Sequence, residues 1–206
     1  MAGGRRPRKI GAGAATFTKQ DCRRGVEPFF TIGHATRSVE ELAALLKANG
    51  VACLVDVRTV PRSRTNPQFN KDVMPESMAA HGLAYRHIAS LGGLRGRVTG
   101  LSPDVNAYWE NQSFHNYADY ATTPAFRAGL EELLALGDDC RSAIMCAETV
   151  WWRCHRRIIT DYLLASGRDV FHIIESEVPE PAKITPNAVA KDGVLVYPGD
   201  QGALGL

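Results

Sequence analysis

Long apolar runs are missing from this 206-residue chain, and no stretch approaches the roughly 20 consecutive residues that a membrane-spanning helix needs. A membrane partner is therefore not expected. Charge of one sign is scarce too. The 24 lysines and arginines nearly balance the 22 aspartates and glutamates, leaving a formal charge of +2. Such a balance does not by itself announce nucleic acid. There is no apolar core of a secretory signal near the start, so a cytoplasmic location is expected. The 5 cysteines are an odd number and lack the spacing of a disulfide-stapled mini-protein. Free thiols in a reducing compartment are the consequence.

Hydrophobic residues make up 45% of the chain, enough for one proper core. One domain is expected over residues 28–198. A basic, flexible arm at 1–27 carries Arg5, Arg6, Arg8 and Lys9, and a short tail at 199–206 follows the domain.

Strand and helix patterns alternate along the domain. Phe29 to Ile32 forms a strand running into Gly33 and His34. Ser38 and Glu41 make a capping box for a helix with Leu42, Leu45 and Leu46 on one face and Gly50 as its stop. The continuous apolar run from Ala52 to Val57 predicts a strand covered on both faces. A polar loop from Pro61 to Pro67 leads to a helix over Met74 to His81. A short strand at Tyr85 to Ile88 precedes a glycine turn at Gly92-Gly93 and a long excursion over 97–112. A helix from Pro124, a strand at Ser142 to Met145, a helix from Arg157 to Ala165 and a strand at Val170 to Ile174 complete the pattern, with a last short strand near Val194. The expected fold is α/β: a mainly parallel sheet with helices on both faces, Rossmann-like and three-layered.

Chemistry concentrates in the run from Cys146 to Arg156. Two thiols, a carboxylate, an imidazole, two arginines and two indoles crowd one strand-to-helix junction. In open α/β sheets that junction is where ligands bind. Parallel strands would gather His34, Asp56, Arg58, Ser63, Arg95, Cys146 and Glu148 along the same rim. The free N–H groups of the helix start, with Arg58 and Arg156, suit a phosphate or carboxylate. The same arginines could instead neutralise Asp56 and Glu148.

Glu148 and Asp56 are the candidate general acid and base, Glu148 through partial burial after its strand. Asp56 could equally hold an arginine in place. Cys154, near a helix start and beside arginine, is expected to have a depressed pKa. Cys146 and His155 complete the candidate catalytic set, although either cysteine could be a packed small hydrophobe. Tyr117, Trp151 and Trp152 are candidates for stacking on a base. No cofactor is expected. Zinc is the alternative, but the separation of Cys146 from Cys154 is not a tight metal-ligand spacing.

These motifs in this order resemble the domain of unknown function 488 family. The resemblance rests on Thr31-Ile32-Gly33-His34, Asp56-Val57-Arg58 with Pro61 and Ser63, Pro67 and Phe69, and Leu91-Gly92-Gly93. It continues through Cys146-Ala147-Glu148, Cys154-His155-Arg156, His172 and Tyr197. It spans about residues 29 to 198. Trp151-Trp152 stands where many relatives have a shorter polar or proline-containing stretch. The resemblance implies an α/β fold and a shared site but no reaction.

Three functions compete on the residues. The first is a hydrolase acting on nucleic acid or a nucleotide at a modified base or its glycosidic bond, a DNA glycosylase-like repair enzyme. The second is a rhodanese-like or phosphatase-like thiol enzyme. No Cys-x5-Arg spacing starts at Cys146, and Glu148 sits wrongly for an anion cradle. The third is a non-catalytic module that binds a nucleotide, anion or metal. The expected partner is nucleic acid or a nucleotide.

Overall fold

The computed structural model describes residues 27–175 and 177–199. The expected basic arm and nearly all of the C-terminal tail lie outside the described residues.

Five parallel strands form the sheet: β1 (Phe29–Gly33), β2 (Cys53–Asp56), β3 (Ala84–His87), β4 (Ser142–Cys146) and β5 (Val170–Ile173). A two-residue edge strand, β6 (Glu180–Pro181), pairs antiparallel with β5, giving the order β3-β2-β4-β1-β5-β6. A separate hairpin joins β7 (Val189–Lys191) to β8 (Val194–Val196). The helices are α1 (Val39–Ala48), α2 (Met74–Ala80), α3 (Gln112–Ala121), α4 (Pro124–Asp139) and α5 (Arg156–Ala165).

Alternation along the strands divides the core in two. Phe30, Ile32, Leu54, Ala143 and Met145 pack with Leu42 and Leu46 of α1 and Met74 and Met78 of α2. Phe29, Val55 and Ile144 face the other way, toward Tyr117, Phe126 and Ile158 of α3, α4 and α5. The fold is thus a three-layer α/β domain. The chain moves outward from β1 to β2 and β3 through α1 and α2. It then reverses through α3 and α4 on the opposite face, as right-handed crossovers demand when direction changes. The returning strand, β4, inserts between β2 and β1.

The capping box at α1 is present in full: Glu41 N–H donates to Ser38 Oγ at 3.1 Å, and Ser38 N–H donates to Glu41 Oε2 at 2.7 Å. Gly50 ends the helix with φ of 65°. Three features differ from the sequence expectation. The excursion over 97–112 contains a 3-10 turn at Pro103–Asn106 and closes into α3, which Asn111 caps by accepting from Ser113 N–H at 3.0 Å. The strand β6 was too short to carry a pattern, and β7 was not expected. A 3-10 turn at Trp151–Arg153 interrupts the approach to α5, which starts at Arg156.

Replacing Ser38 by alanine removes one half of the capping box and should lower stability by about 1 kcal/mol in a urea titration, with no change at the sheet rim. An unchanged midpoint would contradict the role assigned to this cap.

Candidate active site

The rim is organised around the end of β4. Its neighbours continue the ladder past the strand ends: His34 N–H donates to Cys146 O at 2.9 Å, Ala35 N–H to Ala147 O at 2.9 Å, and Val57 N–H to Met145 O at 3.0 Å. The loop after β4 then crosses directly over β1. A Cβ on Gly33 would lie 1.9 Å from Glu148 O, so only glycine permits that crossing. The loops after β1 and β2 lead to helices on one face, whereas the loop after β4 leads to α5 on the other. This is a topological switch point, where open α/β sheets bind ligands.

Asp56 and Arg58 form a closed unit at the end of β2. Asp56 is fully buried and accepts from Arg58 Nε at 2.9 Å, from Arg58 Nη2, and from Tyr85 Oη at 2.7 Å. Arg58 Nη2 also donates to Phe69 O at 2.6 Å. Burial opposes the charge on Arg58, but the hydrogen bonds and attraction of Asp56 outweigh it and raise its pKa. His34 completes the unit. Its Nδ1 faces the Ala35 carbonyl at 3.0 Å and must donate, so Nε2 accepts from Arg58 Nη1 at 3.1 Å. Burial and the Arg58 charge push the His34 pKa down to about 4, so the ring is neutral. Its face stacks on Phe69 at 4.3 Å. The Asp56 carboxylate is engaged by Arg58 and Tyr85, an arrangement that fits the holding role.

Beside this unit lie two thiols and an imidazole. His155 Nε2 donates to Val57 O at 2.9 Å, which turns Nδ1 toward Cys154 Sγ at 3.6 Å and Cys146 Sγ at 3.9 Å. All three ligand atoms lie within 4.8 Å of one another. Gly93 makes room for the ring, because a Cβ there would sit 2.4 Å from Nδ1. Gly92 packs as tightly against Thr59. Arg156 is 1% exposed, and among the described residues no carboxylate pairs with it. It donates to the carbonyls of Glu148 and Thr149 and, through Nε, to Cys154 Sγ at 3.3 Å. Burial resists ionisation of Cys154. The hydrogen bond with Cys146 and the nearby His155 and Arg156 overcome that resistance and hold its pKa well below the usual thiol range. The same hydrogen bond, with burial, pushes Cys146 well above it.

Two adjoining hollows open above these groups. The first, about 400 Å³, is lined by Cys146, Cys154, His155 and Tyr117 together with Val60, Leu94, Phe114 and Arg153. The second is lined by His34, Arg62, Ser63 and Asn66. Arg58 and Glu148 border both, and Glu148 is the one acidic residue among the lining residues of either. Glu148, expected half-buried, stands exposed, because the loop turns outward after Cys146.

Other candidates are placed elsewhere. Arg95 donates to the carbonyls of Gly92, Ala89 and Ser90 and lies 3.9 Å over the Tyr120 ring, so it ties down the glycine turn. Trp151 stacks on His172 at 4.3 Å and 9°, and Trp152, 46% exposed, packs edge-on to Trp151. Neither indole lines the hollows. Tyr117 is fully buried, donates to Leu91 O at 2.6 Å and sits 5.0 Å from the His155 ring. Tyr85 was missed; the signal was its place on β3 beside β2. Arg153 and Phe114 belong to the cleft more directly than the indoles do.

Over residues 38–163 the chain matches the family model described as domain of unknown function DUF488. The matched span holds the Asp56–Arg58 unit, the glycine turn and the whole Cys146–Arg156 run. No curated protein and no solved structure matches the chain.

Replacing Asp56 by asparagine leaves Arg58 buried without its counter-charge and should cost about 3–5 kcal/mol in a urea titration. A loss under 1 kcal/mol would contradict the closed unit. A second outcome concerns acid. Burial, with Arg58 for one and Arg156 for the other, depresses His34 and His172 from 6.5 to about 4. Between those values the unfolded chain binds a proton at each site and the folded chain does not. Stability is therefore full above about pH 6.5 and falls as pH drops toward about 4. A His172→Gln variant should show a shallower fall over that window, and an identical slope would contradict the depressed value.

Proposed function

The chain belongs to the domain of unknown function DUF488 family, and from the geometry of its rim we propose that it is an enzyme that hydrolyses an anionic, nucleotide-like substrate at a base or glycosidic bond. One observation carries this reading: a cleft lined by Arg58, Arg153 and Arg62 holds a single carboxylate, Glu148, at the border of both hollows. Guanidinium groups suit phosphate oxygens through paired N–H donors. The apolar wall of Val60, Leu94 and Phe114 suits a flat base better than open solvent does.

In this reading Glu148 takes a proton from water as the water oxygen bonds to the substrate carbon. The carbon–nitrogen bond to the base breaks, and the departing base takes the proton back from Glu148. Atoms and charge balance without a further reactant. Asp56, itself held by Tyr85, fixes Arg58, whose Nε and Nη2 hydrogens go to Asp56 and Phe69 O. Arg58 therefore offers a phosphate a preset charge and one Nη1 hydrogen, while Arg153 and Arg62 supply the paired donors.

The depressed pKa of Cys154 favours one alternative, a thiol enzyme. Cys154 is 3% exposed, however, and the more accessible Cys146 is the thiol whose ionisation is suppressed. Hydrolysis is the better-supported reading.

End-labelled oligonucleotides carrying damaged or modified bases, treated with alkali after incubation, test it. The wild type should leave alkali-sensitive sites, and Glu148→Gln should slow their formation by about 10²–10⁴-fold while binding persists. Undiminished activity in Glu148→Gln would remove Glu148 from the reaction, and no product on any oligonucleotide would overturn the substrate class.

A further inference from the structure

Against the sequence expectation of no cofactor, we propose that Cys146, Cys154 and His155 form a transition-metal site, best suited to zinc, whose fourth position opens into the cleft. The eight-residue separation of the two cysteines hides the site in the sequence. The 3-10 turn at Trp151–Arg153 closes the loop and returns Cys154 to Cys146, and His155 joins them from the start of α5.

The distances support this. With zinc–sulfur bonds of about 2.3 Å and zinc–nitrogen bonds of about 2.0–2.1 Å, a tetrahedral site puts nitrogen roughly 3.5 Å from each sulfur. His155 Nδ1 lies 3.6 and 3.9 Å from the two sulfurs. The outer partners are those such a site requires. Val57 O holds the Nε2 proton of His155, which leaves Nδ1 free to bind. Arg156 Nε donates to Cys154 Sγ and favours the thiolate. Gly93 lets the face of the His155 ring pack against the backbone, since a Cβ there would lie 2.4 Å from Nδ1 and 2.7 Å from Cγ. A buried guanidinium with no carboxylate partner also calls for negative charge on sulfur, and two thiolates beside a divalent ion supply it.

Two cysteines, one histidine and an open position make the ligand set of a catalytic zinc. A water there would face the cleft that Glu148 also lines, and Glu148 would take its proton. That last step rests on the proposed hydrolysis; the metal site itself does not.

The full-length reduced protein, purified without chelator, should carry one zinc per chain by atomic emission. After chelator treatment, titration with Co2+ should give thiolate-to-cobalt charge-transfer absorption and intense tetrahedral d–d bands at one ion per chain. Cys146→Ser, Cys154→Ser and His155→Gln should each weaken these bands, and Cys53→Ala should leave them unchanged, with circular dichroism reporting the fold. Wild-type protein that is folded and reduced yet binds neither ion at one per chain overturns the proposal. So do bands that survive in the doubly substituted Cys146→Ser, Cys154→Ser protein. Hydrolysis that persists after complete metal removal overturns the metal's part in the reaction and spares both the site and the hydrolase. Stoichiometric metal without hydrolysis on any substrate supports the site and overturns the hydrolase.

Discussion

The insertion of β4 between β2 and β1 is the constraint on which the rest of the site depends. Parallel strands end on one rim, and a strand that returns into the middle of the sheet delivers its loop between two others. The loop after β4 therefore meets His34 on one side and Val57 and Arg58 on the other. Gly33 is the concession that lets it pass. Moved to an edge, the same residues would hold two thiols in solvent with no carbonyl to orient the histidine.

Electrostatics then sorts Arg58 and Arg156, the two buried arginines among the described residues. Arg58 meets Asp56, itself held by Tyr85, and a neutral His34, and becomes a fixed cation bordering the cleft. Arg156 finds carbonyls and a sulfur. Carbonyl dipoles alone offset a buried guanidinium poorly, so the balance falls on Cys154. The hydrogen bond between the two thiols, with His155 and Arg156 beside it, depresses Cys154 and, with burial, raises Cys146, and the cluster is ready for a divalent ion.

Much of the fold was legible because local signals agreed with the tertiary outcome. The Ser38–Glu41 capping box, the Gly50 stop and the apolar run Cys53 to Val55 of β2 each have one reading. The β7–β8 hairpin had a signal too, Asp192-Gly193 between short apolar runs, and both residues adopt positive φ. The site was legible as a cluster of residue types but not as roles. Whether Asp56 acts on substrate or holds Arg58 depends on Tyr85, a neighbour 29 residues away. Trp151 and Trp152 look like stacking platforms until His172, from β5, covers the face of Trp151. The cysteine spacing concealed a cluster that a single 3-10 turn creates. In the first two cases the deciding contact comes from another strand, and in the third from the turn itself.

The most direct measurement is X-ray absorption at the zinc edge on the reduced protein as purified. The account predicts a first shell of two sulfurs at about 2.3 Å with nitrogen or oxygen at about 2.0–2.1 Å. A shell of nitrogen and oxygen alone, or no stoichiometric edge, would contradict it and leave Cys146, Cys154 and His155 as a hydrogen-bonded cluster without an ion.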